Sequence, residues 1–381
     1  MYPSLSYWER ETFFRGIDVA VIGSGIVGLT AAIHLRERSP DLRVVVIERG
    51  TLPLGASTRN AGFACFGSIS ELLDDRLLRS EAEVWALVAR RWQGLKRLRE
   101  RLGDAAIGYE ENGGYELFRA TEQAVFERCA DHIGPFNREL AHIIGRKEVY
   151  KLANAQIPAT GFQGVTGLLL NSAEGQIHTG RMMHALWRLA HRLGVEMYNG
   201  IEVAGLESQS DEILLHTKQG WTLHCQQVLV ATNGFARRLL PELDVQPARN
   251  QVLITQPIPG LQLKGCFHYD RGYYYFRDVA GRILLGGGRN LAHEEEMTDD
   301  FGTTPLIQEA LLQLLHELIL PGTMVEVDTW WSGILGIGPE KSPIIKRLNN
   351  RLSVSVRMGG MGVAIGSLVG EEGAEVVLTG S

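Results

Sequence analysis

A strand, a glycine-rich turn, a helix and a second strand follow one another at residues 17–48, and this order constrains the chain more than any other feature. The apolar run 19–22 predicts a buried strand, and the pattern G-x-G-x-x-G follows it directly. In such turns the first glycine allows a tight bend, the second lets a pyrophosphate approach bare backbone, and the third lets the helix pack closely on the sheet. The sequence therefore predicts an α/β unit that binds a dinucleotide. Its phosphate-binding residues are Gly23, Ser24, Gly25, Ile26, Val27 and Gly28.

An acid closes this unit at the place where a ribose is held. The second apolar strand, at residues 44–47, runs into Glu48 and Arg49. Glu48 stands about 20 residues after the third glycine, the usual distance for an acid that hydrogen-bonds a ribose 2'-hydroxyl. A glycine-rich turn can also serve packing alone, but here strand, turn, helix, strand and acid all occur in order. The acid favours FAD or NAD over NADP, because it accepts from a free 2'-hydroxyl.

Composition is typical of an ordinary globular protein and argues against two classes of partner. The 381 residues, 45% hydrophobic and 22% charged, are enough for two domains. A net charge of −6 and a pI near 6.0 provide no basic surface for nucleic acid. The apolar run 19–35 contains three glycines and is explained by the nucleotide motif. We therefore predict no membrane span.

Cysteine usage indicates a reducing compartment. The four cysteines stand far apart with no C-x-x-C spacing, which argues against a metal site and against a disulfide framework. The residues ahead of the first strand do not resemble a secretory signal, so the predicted location is the cytoplasm. The cysteines are Cys65, Cys129, Cys225 and Cys266.

The chain returns to the nucleotide unit at two later points. A predicted strand at 228–231 runs into a small polar turn at 232–234, and such an ending again indicates a cofactor edge. A second glycine-rich turn at 358–363 precedes a helix predicted from residue 364 to about residue 377. We therefore predict a discontinuous Rossmann-like cofactor domain. Its segments are residues 1–105, 154–245 and 332–381.

The remaining residues, 106–153 and 246–331, are predicted to form a second, antiparallel-sheet α+β domain that holds the substrate. Asn112, Gly113 and Gly114 predict a hairpin within residues 108–119. One helix is predicted near residues 305–319. The predicted strands are 251–255, 273–277, 282–286 and 324–329.

Six stretches together resemble the D-amino-acid oxidase, glycine oxidase and sarcosine oxidase superfamily of FAD enzymes, and most closely its gamma-glutamylputrescine oxidase-like branch. The resemblance covers nearly the whole chain, and the stretches are specific as a set rather than singly. It implies FAD as the cofactor and an oxidoreductase activity. The stretches are SYWE at 6–9, GSGIVG at 23–28, GASTRNAGF at 55–63, VATNGF at 230–235, WSG at 331–333 and GGMGV at 359–363.

The resemblance also implies cofactor contacts. Ser57, Thr58 and Arg59 would hold the flavin phosphates, Val203 would touch adenine through its backbone, and residues 60–63 would pass beside the isoalloxazine ring. The first turn of the last helix would point its N–H groups at the flavin N1 and C2 carbonyl, where reduced flavin is anionic. The other implied contacts are Asn60, Ala61, Gly62, Phe63, Ala231, Thr232, Asn233, Gly234, Gly360, Met361, Gly362 and Val363.

One strand carries the predicted substrate contacts. Side chains alternate along a strand, so Tyr273, Tyr275 and Arg277 share one face while Tyr274 and Phe276 share the other. In glycine oxidase-like relatives a tyrosine on this strand meets the substrate, and the resemblance favours Tyr274 for that role, with Arg277 as a candidate anion handle. The alternative for Tyr274 is core packing, the common role of an aromatic strand residue.

Two positions depart from the family pattern. Leu335 stands where amino-acid oxidases of this superfamily carry an arginine that clamps the substrate carboxylate. Leu284 stands where sarcosine oxidase carries a lysine that promotes reaction with oxygen. The first departure favours an amine over a free amino acid, and the second leaves the electron acceptor open between O2 and another molecule. Candidate replacements for the clamp are Arg277, Arg289 and Lys341.

Three functions follow from these patterns. The leading hypothesis is hydride transfer from a C–N bond of a small amine or N-substituted amino acid to flavin N5. The second is dehydrogenation of a 2-hydroxy acid on the same scaffold. The third is a flavin-bearing partner or RNA-modifying subunit, which the acidic net charge disfavours. Under the leading hypothesis Cys65, His178 and His268 are structural residues, and no metal is required.

Overall fold

Two sheets of eight strands each organise residues 4–379, which the computed structural model describes. Residues 1–3 and 380–381, at the ends of the predicted cofactor domain, lie outside the described residues. No helix within 4–379 combines the length and apolar character that crossing a bilayer requires. The helices are α1 (Tyr7–Phe13), α2 (Ile26–Arg38), α3 (Ile69–Leu78), α4 (Glu81–Leu102), α5 (Asp104–Ile107), α6 (Gln123–Asp131), α7 (Ile133–Ile144), α8 (Ile157–Thr160), α9 (Thr179–Arg192), α10 (Pro305–Leu314) and α11 (Gly362–Thr379).

The strands alternate with these helices in the first half of the chain and dominate the second half. They are β1 (Ile17–Ile22), β2 (Val44–Glu48), β3 (Phe63–Ala64), β4 (Gly114–Arg119), β5 (Tyr150–Leu152), β6 (Val165–Asn171), β7 (Gly175–Gln176), β8 (Glu196–Asn199), β9 (Val203–Ser208), β10 (Ile213–Thr217), β11 (Thr222–Val230), β12 (Gln246–Thr255), β13 (Cys266–Tyr269), β14 (Tyr274–Val279), β15 (Arg282–Gly287), β16 (Val327–Ile337), β17 (Ile344–Arg347) and β18 (Leu352–Val356).

The first sheet is built around β1. This strand pairs in parallel with β2 on one side and β11 on the other, and β8 and β18 extend the parallel sheet outward. The order is β17-β18-β11-β1-β2-β8, with β17 antiparallel at one edge and β9 and β10 joined to β11 as an antiparallel meander. Parallel strands that are covered on both faces have apolar side chains on both, as the buried run of β1 does.

Alternating side chains of β1 supply two cores. Val19 and Val21 face helices α2, α4, α9 and α11, whereas Ala20 and Ile22 face the meander. Glycine allows the helices to approach closely, since a Cβ at Gly370 in α11 would lie 2.6 Å from a backbone oxygen of α2. The last helix of the chain therefore packs directly on the helix that follows the glycine motif.

The second sheet has the order β16-β12-β15-β14-β13-β4-β6-β5 and is antiparallel except for the parallel pair β13 and β4. One face packs on α10 through a core that contains Phe267 and Phe276. The other face carries Val252 and Leu284, which pack on Ala61 of the loop that follows β2. This second face therefore meets the glycine-rich part of the first domain.

The predicted α/β fold with a second antiparallel sheet is confirmed, and two details differ from the expectation. No hairpin forms within residues 108–119, because β4 pairs with β6 and β13 and the residues before it make only an isolated bridge from Glu110 to Gln176. Strand β6 belongs to the second sheet, although its residues lie within the segment 154–245 that the sequence assigns to the cofactor domain. An apolar strand pattern indicates burial but does not specify the partner strand.

Candidate functional site

The glycine turn at the start of α2 leaves no room for side chains. Gly23 has a φ of +104°, and a Cβ at Gly28 would lie 1.9 Å from the Gly23 carbonyl oxygen. A Cβ at Gly25 would lie 2.8 Å from Ser57 Oγ, and this hydroxyl accepts a hydrogen bond from the Ile26 backbone N–H at 2.9 Å. The turn is a cradle of bare backbone at the positive end of a 13-residue helix, which suits a pyrophosphate.

Glu48 is fixed at the carboxyl end of β2, beside this cradle. Its Oε2 accepts hydrogen bonds from the Ser24 backbone N–H (3.1 Å) and the Ser24 hydroxyl (2.7 Å), and its Oε1 accepts from the Gly50 N–H (3.0 Å). The residue is 6% exposed. A carboxylate has about four lone-pair sites, so these three bonds orient Glu48 and leave it able to accept from a ribose hydroxyl.

A cleft opens beside the cradle, and its empty space, including the part open to solvent, is about 760 Å³. The bare backbone, the oriented acid and the cleft together fit the adenosine diphosphate half of FAD. The predicted contacts that line the cleft are Gly23, Gly25, Glu48, Arg49, Ser57, Val203, Ala231, Thr232 and Asn233.

Part of the cleft wall was not predicted from the sequence. The Arg49 guanidinium carbon lies 3.9 Å from the centre of the Phe235 ring, and burial, together with the charge of Arg238, lowers the pKa of Arg49. Two of these residues had a sequence signal, because Gly55 opens the stretch GASTRNAGF and Phe235 ends the stretch VATNGF. The unpredicted lining residues are Ile22, Ile47, Gly55, Ile201, Glu202, Phe235, Arg238, Leu239 and Ile334.

The loop that follows β2 is held in shape by Asn60. Asn60 Nδ2 donates to the carbonyl oxygens of Ala56 (3.1 Å) and Ser57 (2.9 Å), and its Oδ1 accepts from the Gly62 N–H (2.8 Å). Thr179 at the start of α9 donates to the same Oδ1 at 3.0 Å. These hydrogen bonds hold the backbone of residues 60–63 in a single conformation. None of these four residues lines the cleft.

Of the three residues predicted to hold the flavin phosphates, only Ser57 lines the cleft. Thr58 Oγ1 donates to the Pro53 carbonyl oxygen at 2.7 Å. Arg59 Nη1 donates to the Ser332 carbonyl oxygen at 3.1 Å. The Thr58 hydroxyl is thus bonded within its own loop, and the Arg59 guanidinium joins the loop to β16.

Asn233 connects the polar turn after β11 to the turn before α11. Its Oδ1 accepts hydrogen bonds from the N–H groups of Arg357 (3.1 Å) and Met358 (3.2 Å). A Cβ at Gly366 would lie 2.8 Å from the Ile26 side chain, so the first turns of α11 and α2 are adjacent. The helix starts that follow the two glycine clusters therefore lie side by side. Gly234, Gly360, Met361, Gly362 and Val363 belong to these two turns but do not line the cleft.

Strand β14 places Tyr274 and Tyr275 on opposite faces of the second sheet. Tyr274 packs on the core that faces α10, with its ring 6.0 Å from that of Tyr269. The Tyr275 ring lies 5.6 Å from the Phe63 ring, and its hydroxyl accepts from Asn250 Nδ2 at 3.3 Å. Tyr275, and not the predicted Tyr274, therefore lies on the face that meets the loop after β2. Alternation along the strand gave the two faces, but only the neighbouring loop shows which face meets the cofactor domain.

Arg277 lies on the same face as Tyr275 and braces the loop. It is 5% exposed, its Nη1 donates to the Gly62 carbonyl oxygen at 3.2 Å, and burial lowers its pKa. Its Nε has no hydrogen-bond partner among the described residues. The predicted anion handle is therefore a buried guanidinium already bonded to the loop backbone.

Of the other two candidates for the clamp, Lys341 is paired with carboxylates, whereas Arg289 Nη1 is buried without a hydrogen-bond partner among the described residues. Lys341 Nζ lies 2.6 Å from Asp75 Oδ1 and 3.2 Å from Glu71 Oε1. Burial alone would raise the pKa of Glu71, but the charges of Lys341 and Arg91 outweigh it and lower this pKa to about 2. Lys341 is therefore neutralised by two carboxylates.

Glu116 lines a second, smaller cavity, and its burial leads to a prediction on stability. Glu116 is 4% exposed and hydrogen-bonded to Ser70. Burial raises its pKa from 4.5 to about 7, so its protonated form stabilises the fold below about pH 4.5 and this contribution is lost as the pH rises through 7. The unfolding free energy should therefore fall by roughly 3 kcal/mol between pH 4.5 and 7 in the wild type, and Glu116→Gln should not show this fall.

Urea unfolding of the wild type and Glu116→Gln at several pH values between these limits measures this difference. The exposed Glu139 in α7 provides the control variant, Glu139→Gln, which should leave the pH dependence unchanged. Parallel stability curves for the wild type and Glu116→Gln would contradict the prediction.

Comparison with known proteins identifies the family. The family model described as FAD dependent oxidoreductase matches residues 18–376. The chain is 24% identical over 375 residues to the probable oxidoreductase OrdL of Rhizobium meliloti, which covers 96% of this chain and 83% of that protein. It is 25% identical over 376 residues to the gamma-glutamylputrescine oxidoreductase of Escherichia coli, which covers 94% and 83%.

A solved structure has the same fold. The glycine oxidase from Geobacillus kaustophilus superimposes with a TM-score of 0.74 at 24% identity, covering 96% of this chain and 95% of that one. The glycine cradle, the acid on β2 and the cleft are the features that a bound FAD requires. The chain belongs to the FAD-dependent oxidoreductase family and is an enzyme that uses FAD as its cofactor.

Proposed function

We propose that this enzyme oxidises a C–N bond of a small amine or N-substituted amino acid whose reacting carbon carries no carboxylate. When bound, FAD supplies the hydride acceptor for such a reaction. The protein supplies a surface that holds the substrate carbon close to the flavin ring. The observation that carries the proposal is the composition of the sheet face beside residues 61–63.

This face, which we call the substrate wall, is aromatic and aliphatic. Phe63, Tyr275 and Trp331 pack around a cluster of Ala61, Val252 and Leu284. Such a surface favours alkyl groups through burial and ammonium groups through the negative faces of the rings. The wall therefore suits an alkylamine.

The polar groups of the wall are neutral. Burial raises the pKa of Tyr275, so its phenol stays protonated and can donate a hydrogen bond to a substrate while accepting from Asn250. The Trp331 Nε1 already donates to the Arg59 carbonyl oxygen at 2.9 Å. Orientation of the substrate would then fall to the Tyr275 hydroxyl and the Asn250 amide.

The two arginines near the wall each make a hydrogen bond within the protein. Arg277 Nη1 donates to the Gly62 carbonyl oxygen and Arg59 Nη1 to the Ser332 carbonyl oxygen, whereas Arg277 Nε has no hydrogen-bond partner among the described residues. Leu335, at the position of the family's carboxylate clamp, has no charge. A bidentate arginine is the usual means of holding a carboxylate, and the uncharged side chain at this position supports an amine substrate instead. The name of the Escherichia coli relative, gamma-glutamylputrescine oxidoreductase, also denotes an amine.

Anaerobic mixing of the flavin-loaded enzyme with a panel of substrates tests the proposal. The panel contains alkylamines, N-alkyl amino acids, free α-amino acids and 2-hydroxy acids, and flavin bleaching reports reduction. We expect amines without an α-carboxylate to reduce the flavin at least about tenfold faster than the corresponding α-amino acids, because the acids lose the charged hydrogen bonds that a clamp would provide. Preferential reduction by α-amino acids or by 2-hydroxy acids would refute the proposal, and admitting air afterwards shows whether O2 reoxidises the flavin.

A further inference from the structure

Three side chains with metal-binding atoms meet beside the substrate wall, where His268 lies opposite Tyr275 in the pair of β13 and β14. Cys65 follows β3, Glu174 precedes β7, and His268 lies on β13. One ligand atom from each residue lies within 4.8 Å of the other two. We propose that Cys65, Glu174 and His268 bind a zinc ion or a similar transition-metal ion. This site is independent of the proposed amine oxidation.

The Glu174 carboxylate is held in place by backbone donors. Its Oε1 accepts from the N–H groups of Phe66 (2.7 Å) and Gly67 (3.0 Å). A Cβ at Gly114 would lie 2.0 Å from Oε2, so the neighbouring strand leaves room for this oxygen only because residue 114 is glycine. Hydrogen bonds of this kind orient the ligands of protein metal sites.

Strand pairing positions the thiol beside this carboxylate. In the antiparallel pair of β3 and β7, Ala64 lies opposite Gly175, and the adjacent residues are Cys65 and Glu174. Cys65 is 3% exposed and Glu174 is 2% exposed. The register of two short strands therefore places a soft sulfur ligand next to an anionic oxygen ligand inside the protein.

The imidazole completes the group and lacks a partner of its own. His268 Nε2 is buried and has no hydrogen-bond partner among the described residues. Its ring meets the Phe63 ring edge-on at a distance of 5.1 Å between centres. A buried nitrogen without a partner is costly, and a metal ion would satisfy it.

The donor set matches zinc in kind and in charge. Thiolate sulfur, imidazole nitrogen and carboxylate oxygen are the three ligand types that zinc takes in proteins, and a water molecule can occupy the fourth position. One thiolate and one carboxylate balance the two positive charges of the ion. Binding would release the Cys65 proton to solvent, since a coordinated thiol is deprotonated.

The position of the group indicates what the ion does. It would tie the segment of residues 65–67 to the second sheet through His268, which lies opposite Tyr275 in the antiparallel pair of β13 and β14. The Phe63 ring contacts both of these side chains. The ion would therefore fix the loop that carries Phe63 at the side of the substrate wall. We expect the metal to raise thermal stability, because it binds the folded state and not the unfolded chain.

Metal analysis and zinc titration of the flavin-loaded enzyme test this site. Protein freed of metal by a chelator should take up about one zinc ion per chain and gain thermal stability. Cys65→Ser, Glu174→Gln and His268→Asn should each weaken zinc binding by at least about 100-fold, since changes to outer-shell partners alone cost about 10- to 100-fold. Cys225→Ser removes another fully buried cysteine, in β11 of the first sheet, and should retain wild-type zinc affinity.

Cobalt gives a second measurement that does not depend on turnover. A thiolate-bound cobalt ion should add absorption to the difference spectrum of the wild type, and this absorption should be missing in Cys65→Ser. Failure of the wild-type protein to bind zinc at stoichiometric level overturns the proposal even if a variant does not fold. Equal zinc affinity in the wild type and all three ligand variants overturns it as well. Either result leaves the amine assay unaffected, so the two proposals can fail separately.

Discussion

Replacing Gly28 with alanine is expected to abolish FAD binding and to lower the unfolding free energy by at least about 3 kcal/mol. The added Cβ would lie 1.9 Å from the Gly23 carbonyl oxygen, and a backbone atom cannot move aside as a flexible side chain can. Alanine favours a helix over glycine by only about 1 kcal/mol, so the clash dominates. The turn that cradles the pyrophosphate would be displaced. Flavin content of the purified variant and its urea midpoint measure both effects.

Gly180 provides the matched control for this substitution. It also lies in the first turn of a helix, α9, but it does not line the cleft, and a Cβ at this position would meet only the His178 ring, at 3.4 Å. Gly180→Ala should therefore retain FAD and change the unfolding free energy by less than about 1 kcal/mol. If Gly28→Ala purified with a full complement of flavin, the close packing of α2 on the turn would not be needed for cofactor binding.

Tyr275→Phe is expected to lower kcat/KM for the amine substrate by about ten- to a hundredfold. The substitution removes a hydroxyl that is proposed to orient the substrate, and a hydrogen bond to a charged group is worth about 1.5–3 kcal/mol. It also leaves Asn250 Nδ2 without the acceptor that it contacts at 3.3 Å. Flavin content and thermal stability should stay close to the wild-type values, because phenylalanine preserves the packing on Phe63. Steady-state kinetics and anaerobic flavin reduction measure the change.

Tyr274→Phe separates the two faces of the sheet in the same assay. Tyr274 packs on the core that faces α10, so its hydroxyl is remote from the substrate wall and kcat/KM should change less than about twofold. The two substituted residues are adjacent in the chain, but their side chains lie on opposite faces of the second sheet. A large loss in Tyr274→Phe with none in Tyr275→Phe would show that the opposite face of β14 meets the substrate.

The local features of the cofactor domain could be predicted because each depends on residues close together in the chain. The glycine cradle, the acid on β2 and the helix after the second glycine cluster all follow from short patterns with fixed stereochemistry. The meander of β9, β10 and β11 is another local pattern, since its strands are consecutive. The prediction of a hairpin within residues 108–119 was wrong, because β4 pairs with β6 and with β13, which lies far along the chain. The turn residues do not indicate either partner strand.

The sequence by itself determined the α/β fold, the cofactor and the enzyme family, because bare backbone at fixed spacing is required wherever a pyrophosphate meets a helix. Only the tertiary structure decided which face of β14 meets the loop, since alternation defines two faces without naming their neighbours. The same holds for Cys65, Glu174 and His268. The wide spacing of the four cysteines argued against a metal site, but the fold brings one ligand atom from each of these three residues within 4.8 Å of the others.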